Sequence, residues 1–192
     1  MQEIKENNEE TERTIKILNK HRDELLYEMN ALDHVMECLT IPRYEQMISF
    51  AIEKGFKAVC DIGCAYGHQS ELCRDRIKYI GIDDGSQNFY NLYESFTRYI
   101  REHYPCRLFA VDKETTMAIS VLALGWNCYK YSEDEYDKQF KALSEDFGAS
   151  LLYVPVEQGE ILKKYFKHVE VIEEETVGVH VAVYYCHNKE LR

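Results

Sequence analysis

The residues with the most chemical content form one short run, Asp61-Ile62-Gly63-Cys64-Ala65-Tyr66-Gly67, set between an apolar stretch and a helical pattern. Small residues in such a loop let a ligand approach the backbone. Gly63 and Gly67 can take positive φ, Ala65 is nearly as small, and the amides at the following helix start favour a negatively charged group. A dinucleotide-binding loop begun at Gly63 would need a third glycine where His68 stands, so a pyrophosphate is disfavoured. Asp61, two residues ahead of the first glycine, would repel an anion and suits a ligand bearing an ammonium and a sulfonium. A second carboxylate pair closes Tyr79-Ile80-Gly81-Ile82-Asp83-Asp84, about twenty residues beyond the loop, where it can accept both hydroxyl protons of a ribose. Asp112 is expected at the end of a third strand on the same edge, within reach of an adenine amino group. Each has a structural alternative: Asp61 as a helix cap, Asp83 or Asp84 as a turn initiator.

The elements that must carry these residues follow from periodicity. Apolar positions Ile15, Leu18, Leu25, Met29, Leu32, Met36 and Leu39 recur in heptads, which predicts an amphipathic helix over residues 13 to 39 that Pro42 stops or redirects. It would pack on its own domain, form a dimer seam or cover a site. A second helix is expected from Tyr44 to Lys54, capped by Gly55, and then a strand over Lys57 to Ile62. From there helices and strands alternate: a helix through Leu72, a strand Lys78 to Ile82, a helix Ser86 to His103, and a strand Arg107 to Val111. A strand Ala118 to Leu124, a helix Ser132 to Phe147, a strand Leu151 to Val156 and a helix Glu160 to Phe166 complete the series. This is the pattern of parallel β-α-β units. Val169 to Ile172 and Val179 to Tyr185 follow with only a turn between them, which predicts an antiparallel hairpin at one end of the sheet. The expected division is a helical extension, 1–41, and a Rossmann-like domain, 42–192.

On these residues the chain resembles the class I, Rossmann-like S-adenosylmethionine-dependent methyltransferases, whose D-x-G-x-G-x-G loop corresponds to Asp61-Ile-Gly63-Cys-Ala65-Tyr-Gly67 and whose ribose strand corresponds to Tyr79 to Asp83. The resemblance covers residues 44 to 187. It implies a three-layer α/β sandwich with a mostly parallel seven-stranded sheet, S-adenosylmethionine as cofactor, its methionine end around Asp61, Gly63 and Cys64, and its ribose on Asp83. Ala65 departs from the middle glycine, and the fourth strand starts at Ala118 without the acid many relatives carry. Trp126 and Tyr129 lie where relatives place acceptor-facing residues, or they are core or rim aromatics. Gly125-Trp126-Asn127-Cys128-Tyr129 lacks both prolines of the N-P-P-Y motif, so methylation of adenine in nucleic acid is not supported. No catalytic residue is assigned.

Composition narrows the function classes. Among 192 residues, 23 Lys and Arg stand against 34 Asp and Glu, and a net charge of −11 opposes a nucleic-acid partner. The densest basic stretch, Lys163, Lys164 and Lys167, has the spacing of a solvated helix face. Seven cysteines without paired spacing, after a polar opening MQEIKENNEE, predict reduced thiols in a cytoplasmic protein. Cys60, Cys64 and His68 have no fourth ligand at useful spacing, so no metal is expected. No apolar run approaches the ~20 residues that span a bilayer. Methyl transfer to a small-molecule or protein acceptor is the expectation, and a non-catalytic S-adenosylmethionine-binding regulator is the alternative. A nicotinamide-dependent oxidoreductase is opposed by Asp61 and by the loop register.

Overall fold

A computed structural model describes residues 31–65, 67, 69–84, 98–109, 111–124, 132–176 and 179–188, those of 31–40 and 133 by backbone alone. By contacts the chain divides into two units, Met1–Gln46 and Met47–Arg192. In the first, the described backbone is helical from Ala31, and the Arg43 guanidinium donates to the Gln46 side chain. The expected helix over residues 13–30 lies outside the described residues. Helix α1, Ala31–Glu53, carries Pro42 within it, so the expected break at Pro42 is corrected. A proline inside a helix costs about 3 kcal/mol through its missing N–H and its ring. Here the residues that follow it, Met47, Ile48 and Ala51, are fully buried, and that burial offsets the cost.

The second unit is built on the strands β1 (Ala58–Ile62), β2 (Lys78–Ile82), β3 (Arg98–Ile100), β4 (Thr116–Val121), β5 (Ala149–Pro155), β6 (His168–Thr176) and β7 (His180–His187). They form one seven-stranded sheet in the order β3-β2-β1-β4-β5-β7-β6. Of these, β1, β4 and β5 are buried along their whole length, as expected for strands covered on both faces. Neighbours from β3 to β5 pair in parallel, and β7 runs antiparallel to both β5 and β6. The closing hairpin is therefore where the sequence put it.

The period-two alternation sorts the strands into two faces. Cys60, Ile62, Ile80, Ile82, Leu152 and Val154 share one core with helix α3, Glu133–Asp146. That helix begins with a capping box between Ser132 and Glu135 and buries Tyr136, Phe140 and Leu143 at i, i+4, i+7 spacing. Val59, Asp61 and Tyr79 alternate with the first set and face the other way. The hairpin presents Tyr185 to Phe50 of α1, ring centroids 5.0 Å apart. The remaining helices are single turns, α2 at Ser70–Cys73 and α4 at Gly159–Leu162.

The third strand is not where periodicity placed it. Residues 98–100, expected to be helical, form β3, pairing with Ile80, Gly81 and Ile82. The segment 107–109, read as a strand, is irregular: Phe109 N–H donates to Arg107 C=O, and the Arg107 guanidinium lies 4.4 Å from the Phe109 ring centroid. The Phe109 carbonyl is taken by the Arg98 side chain. Apolar residues there, Leu108 and Val111, pack against the core from a loop, so an apolar run that reads as a strand needs no strand to be buried. Residues 86–97 of the expected helix lie outside the described residues. Among the described residues no helix is long and apolar enough to cross a membrane.

Among the described residues Phe140 is the largest fully buried side chain, and it joins α3 to the sheet. Phe140→Ala is expected to cost about 3 to 5 kcal/mol in urea unfolding. A loss below about 1 kcal/mol would mean that α3 does not seal this core.

Candidate functional site

Parallel strands bring their carboxyl ends to one edge, and at that edge the ends of β1 and β2 meet the glycine loop. Asp61 has no exposed surface, and the same carboxylate oxygen, Oδ2, accepts from Tyr79 Oη at 2.6 Å and from Gln69 Nε2 at 2.5 Å. Gln69 Nε2 also donates to Cys64 C=O at 2.9 Å, so one amide ties the strand to the loop. Tyr79 can reach because it shares a face with Asp61 and because Gly81, directly opposite Asp61 in register, has no side chain. A Cβ on Gly81 would lie 2.7 Å from Cys64 Sγ and 3.3 Å from the Tyr79 ring. Such a Cβ would occupy space that the thiol and the ring fill.

The loop is bound to β2 by its backbone. Gly63 and Cys64 N–H both donate to Ile82 C=O, at 2.8 and 3.1 Å, and Ala65 N–H donates to Asp83 Oδ2 at 3.1 Å. Gly63, Ala65 and Gly67 all have left-handed φ, +76°, +47° and +74°. Ala65 thus adopts the conformation its glycine counterpart would, at a cost of about 1 to 2 kcal/mol for an L-residue. Gly63 allows no substitute, since a Cβ would fall 2.1 Å from Ala123 Cβ in the loop after β4. Ser120, buried in β4, donates its hydroxyl to Ile62 C=O at 3.0 Å and fixes the end of β1 from the other side.

Asp83 and Asp84 part company. Asp83 holds the loop, while Asp84 is exposed and faces His103 Nδ1 at 3.2 Å. Tyr99 of β3 donates its hydroxyl to Asp83 C=O at 3.2 Å, and its own ionisation is pushed up to about 12, first by burial and then by the Asp83 charge. Burial, with the charges of Asp61 and Asp83, holds the Cys64 thiol well above its ordinary value, so Cys64 is a packing residue and not a nucleophile.

Asp112 requires correction. It precedes β4, so it stands near the amino ends of the strands, not at the carboxyl end of a third one. Its carboxylate accepts from Glu114 N–H at 3.1 Å and from the Thr115 hydroxyl at 2.8 Å, which makes it a turn residue. Trp126 and Tyr129, with His68, lie outside the described residues. Among the described residues no group of three or more His, Cys, Asp or Glu is arranged to hold a metal ion. Gln69, Tyr79 and Tyr99 are the site residues that motif reading passed over. A carboxylate inside an apolar strand announces that donors must be found nearby, and that signal was available.

Tyr79→Phe keeps the ring and deletes one donor to a buried carboxylate. It is expected to lower stability by about 1.5 to 3 kcal/mol in denaturant unfolding. A change under about 0.5 kcal/mol would show that Gln69 alone suffices. Tyr99 ordinarily ionises near 10, and its folded value is higher. The folded chain therefore keeps a proton the unfolded chain gives up, and this stabilisation, full below about pH 10, is lost as pH rises through about 12. Tyr99→Phe should remove one late step from the phenolate absorbance titration, and an unaltered titration would contradict the assignment.

No protein-family model and no curated protein sequence matches the chain. Solved structures do. Magnesium protoporphyrin IX methyltransferase (ChlM) from Synechocystis, solved with bound SAM, superposes with a TM-score of 0.61 at 12% identity, over 84% of this chain and 85% of that one. Human N-acetylserotonin methyltransferase, also with SAM, gives 0.57 at 11% identity, over 83% of this chain and 54% of that one. A TehB-like SAM-dependent methyltransferase from Corynebacterium glutamicum gives 0.55 at 13%, over 76% and 88%. The chain spans 39% of the bifunctional kinase-methyltransferase WbdD, which it matches at 0.57 and 16% identity. The strand order, the closing hairpin and these superpositions agree that the chain has the class I S-adenosylmethionine-dependent methyltransferase fold.

Proposed function

We propose that the chain binds S-adenosylmethionine at the carboxyl edge of β1 and β2 and transfers its methyl group to a small-molecule or protein acceptor. The observation that carries this reading is the loop of three left-handed residues, 63, 65 and 67, strapped by Ala65 N–H to the Asp83 carboxylate at the next strand's end. Left-handed residues with minimal side chains bring a backbone close to a ligand, and a carboxylate beside them supplies paired acceptors for a ribose diol. The S-adenosylmethionine held in the ChlM and N-acetylserotonin methyltransferase structures supports the same cofactor.

The roles within the site differ from a direct transfer of the motif. Asp61, fully buried and engaged by Gln69 and Tyr79, is a positioning residue: it sets the loop from beneath. Ligand contact falls to the loop backbone around Gly63, Cys64, Ala65 and Gly67 and to Asp83. When bound, the cofactor supplies an electrophilic methyl group on a sulfonium. The protein's task is then to hold an acceptor in line with it, and orientation of this kind can supply much of the barrier reduction. We assign no catalytic base.

Calorimetric titration with S-adenosylmethionine, S-adenosylhomocysteine and NAD tests the reading. Saturable binding of both adenosyl ligands, and none of NAD, is expected; binding of none of the three would overturn it. Asp83→Ala should weaken adenosyl-ligand affinity by about 2 to 3 kcal/mol, on the scale of charge-assisted hydrogen bonds. An unchanged affinity would remove Asp83 from the ribose.

A further inference from the structure

The edge of the sheet opposite the glycine loop carries a second concave surface. Lys57 immediately precedes β1, Lys78 opens β2 and Arg98 opens β3, so parallel pairing brings all three to the amino edge. Arg74 and Arg76, from the turn after α2, join them around a cleft of about 800 Å³. Among the described residues, five cationic side chains thus line one cleft with one carboxylate, Asp75, in a chain whose net charge is −11. Three of the five come from the run Arg74-Asp75-Arg76-Ile77-Lys78, and the fold adds Lys57 and Arg98 from either side of it in sequence.

The cations are not all spent on the protein. Arg74 pairs with Glu71, Arg76 donates to Leu72 C=O and to Ser49 Oγ, and Arg98 donates to Phe109 C=O. Lys57 and Lys78 are exposed, neighbours across β1 and β2 through the bond from Lys78 N–H to Lys57 C=O at 3.2 Å, and neither ammonium has an ion-pair partner among the described residues. A second observation concerns a residue of the same cleft. Ser70 lines it, is 4% exposed, and its hydroxyl has no hydrogen-bond partner. A buried hydroxyl without a partner is uncommon and costs stability unless something satisfies it.

We propose that this cleft is a binding site for a phosphorylated small molecule, with Lys57 and Lys78 as the charge pair and Ser70 as a hydrogen-bonding group. Two ammonium groups without ion-pair partners, among five cationic side chains on one cleft, suit a multiply charged anion, and a concave volume in the usual range for small ligands, roughly 300 to 1,000 Å³, suits a compact one. The overall acidity of the chain disfavours a long polyanion such as a nucleic acid. The site does not depend on the adenosyl-binding reading, since none of its three binding residues belongs to the loop or contacts Asp83.

The test is calorimetric titration of the full chain with inorganic tripolyphosphate, alongside S-adenosylhomocysteine as a separate readout. Saturable, one-to-one tripolyphosphate binding is expected, at least tenfold weaker in the double variant Lys57→Gln, Lys78→Gln. Both lysines are exposed and unpaired, so that variant should keep its thermal midpoint. The control Lys163→Gln, Lys164→Gln should bind tripolyphosphate unchanged. Ser70→Ala should weaken binding several-fold without lowering the thermal midpoint. Absence of saturable binding, equal affinity in the Lys57/Lys78 variant, or tighter binding of a single-stranded oligonucleotide than of tripolyphosphate would overturn the proposal. Loss of S-adenosylhomocysteine binding alone would bear on the adenosyl site and leave this one standing.

Discussion

A carboxylate removed from water costs several kcal/mol unless donors surround it, and Asp61 sits in the middle of a strand with no exposed surface. Much of the local sequence can be understood as the answer to that one requirement. Tyr79 brings a hydroxyl from the same face of β2, and Gln69 brings an amide from the chain that leaves the loop. Gly81 is needed opposite Asp61 so that the Tyr79 ring and the Cys64 thiol can occupy the space. Because Gln69 also holds Cys64 C=O, the path of the glycine loop is referred back to the interior of the sheet. The loop's accuracy is therefore set by a buried polar cluster and not by the loop's own stiffness.

Much of this architecture was legible because β1, β2, β4 and β5 are mainly apolar runs bounded by polar or glycine-containing segments. β1, β2, β4, β5 and the hairpin lie within a few residues of where hydrophobic runs and turn signals put them. The third strand failed for a physical reason: β3 has only three residues, too few for a period, and its neighbours Leu108 and Val111 reach the core from a loop. Asp112 went with it. Its type and its place after an apolar run suited a strand end, while Asp-x-x-Thr spacing ahead of β4 was the turn signal that decides its role. Pro42 misled in the opposite direction, because a local rule against proline gave way to the burial of Met47, Ile48 and Ala51 beyond it.

The two ends of the parallel sheet carry different chemistry from the same strands. One edge gathers Asp61, Asp83 and the glycine loop; the other gathers Lys57, Arg98 and the cations of the run Arg74 to Lys78. Neither is visible in the net charge, since an overall excess of acid averages over a molecule whose surface is locally of both signs. Charge reading from composition identified the average correctly and could not see the partition, which only strand register creates.

The lateral borders of the sheet complete the picture. β3 is short, but β6 is a nine-residue border strand, exposed at all but Val169 and Glu175, with Val171 and Ile172 facing solvent. Such a strand is a template for pairing with another chain. Glu170, Glu173, Glu174 and Glu175 stand along it, and an irregularity between Val171 and Glu173 interrupts its register. Four like charges and a kink make a second copy a poor mate for this strand. The acidity of the hairpin thus opposes edge-to-edge pairing at the one long border of the described sheet.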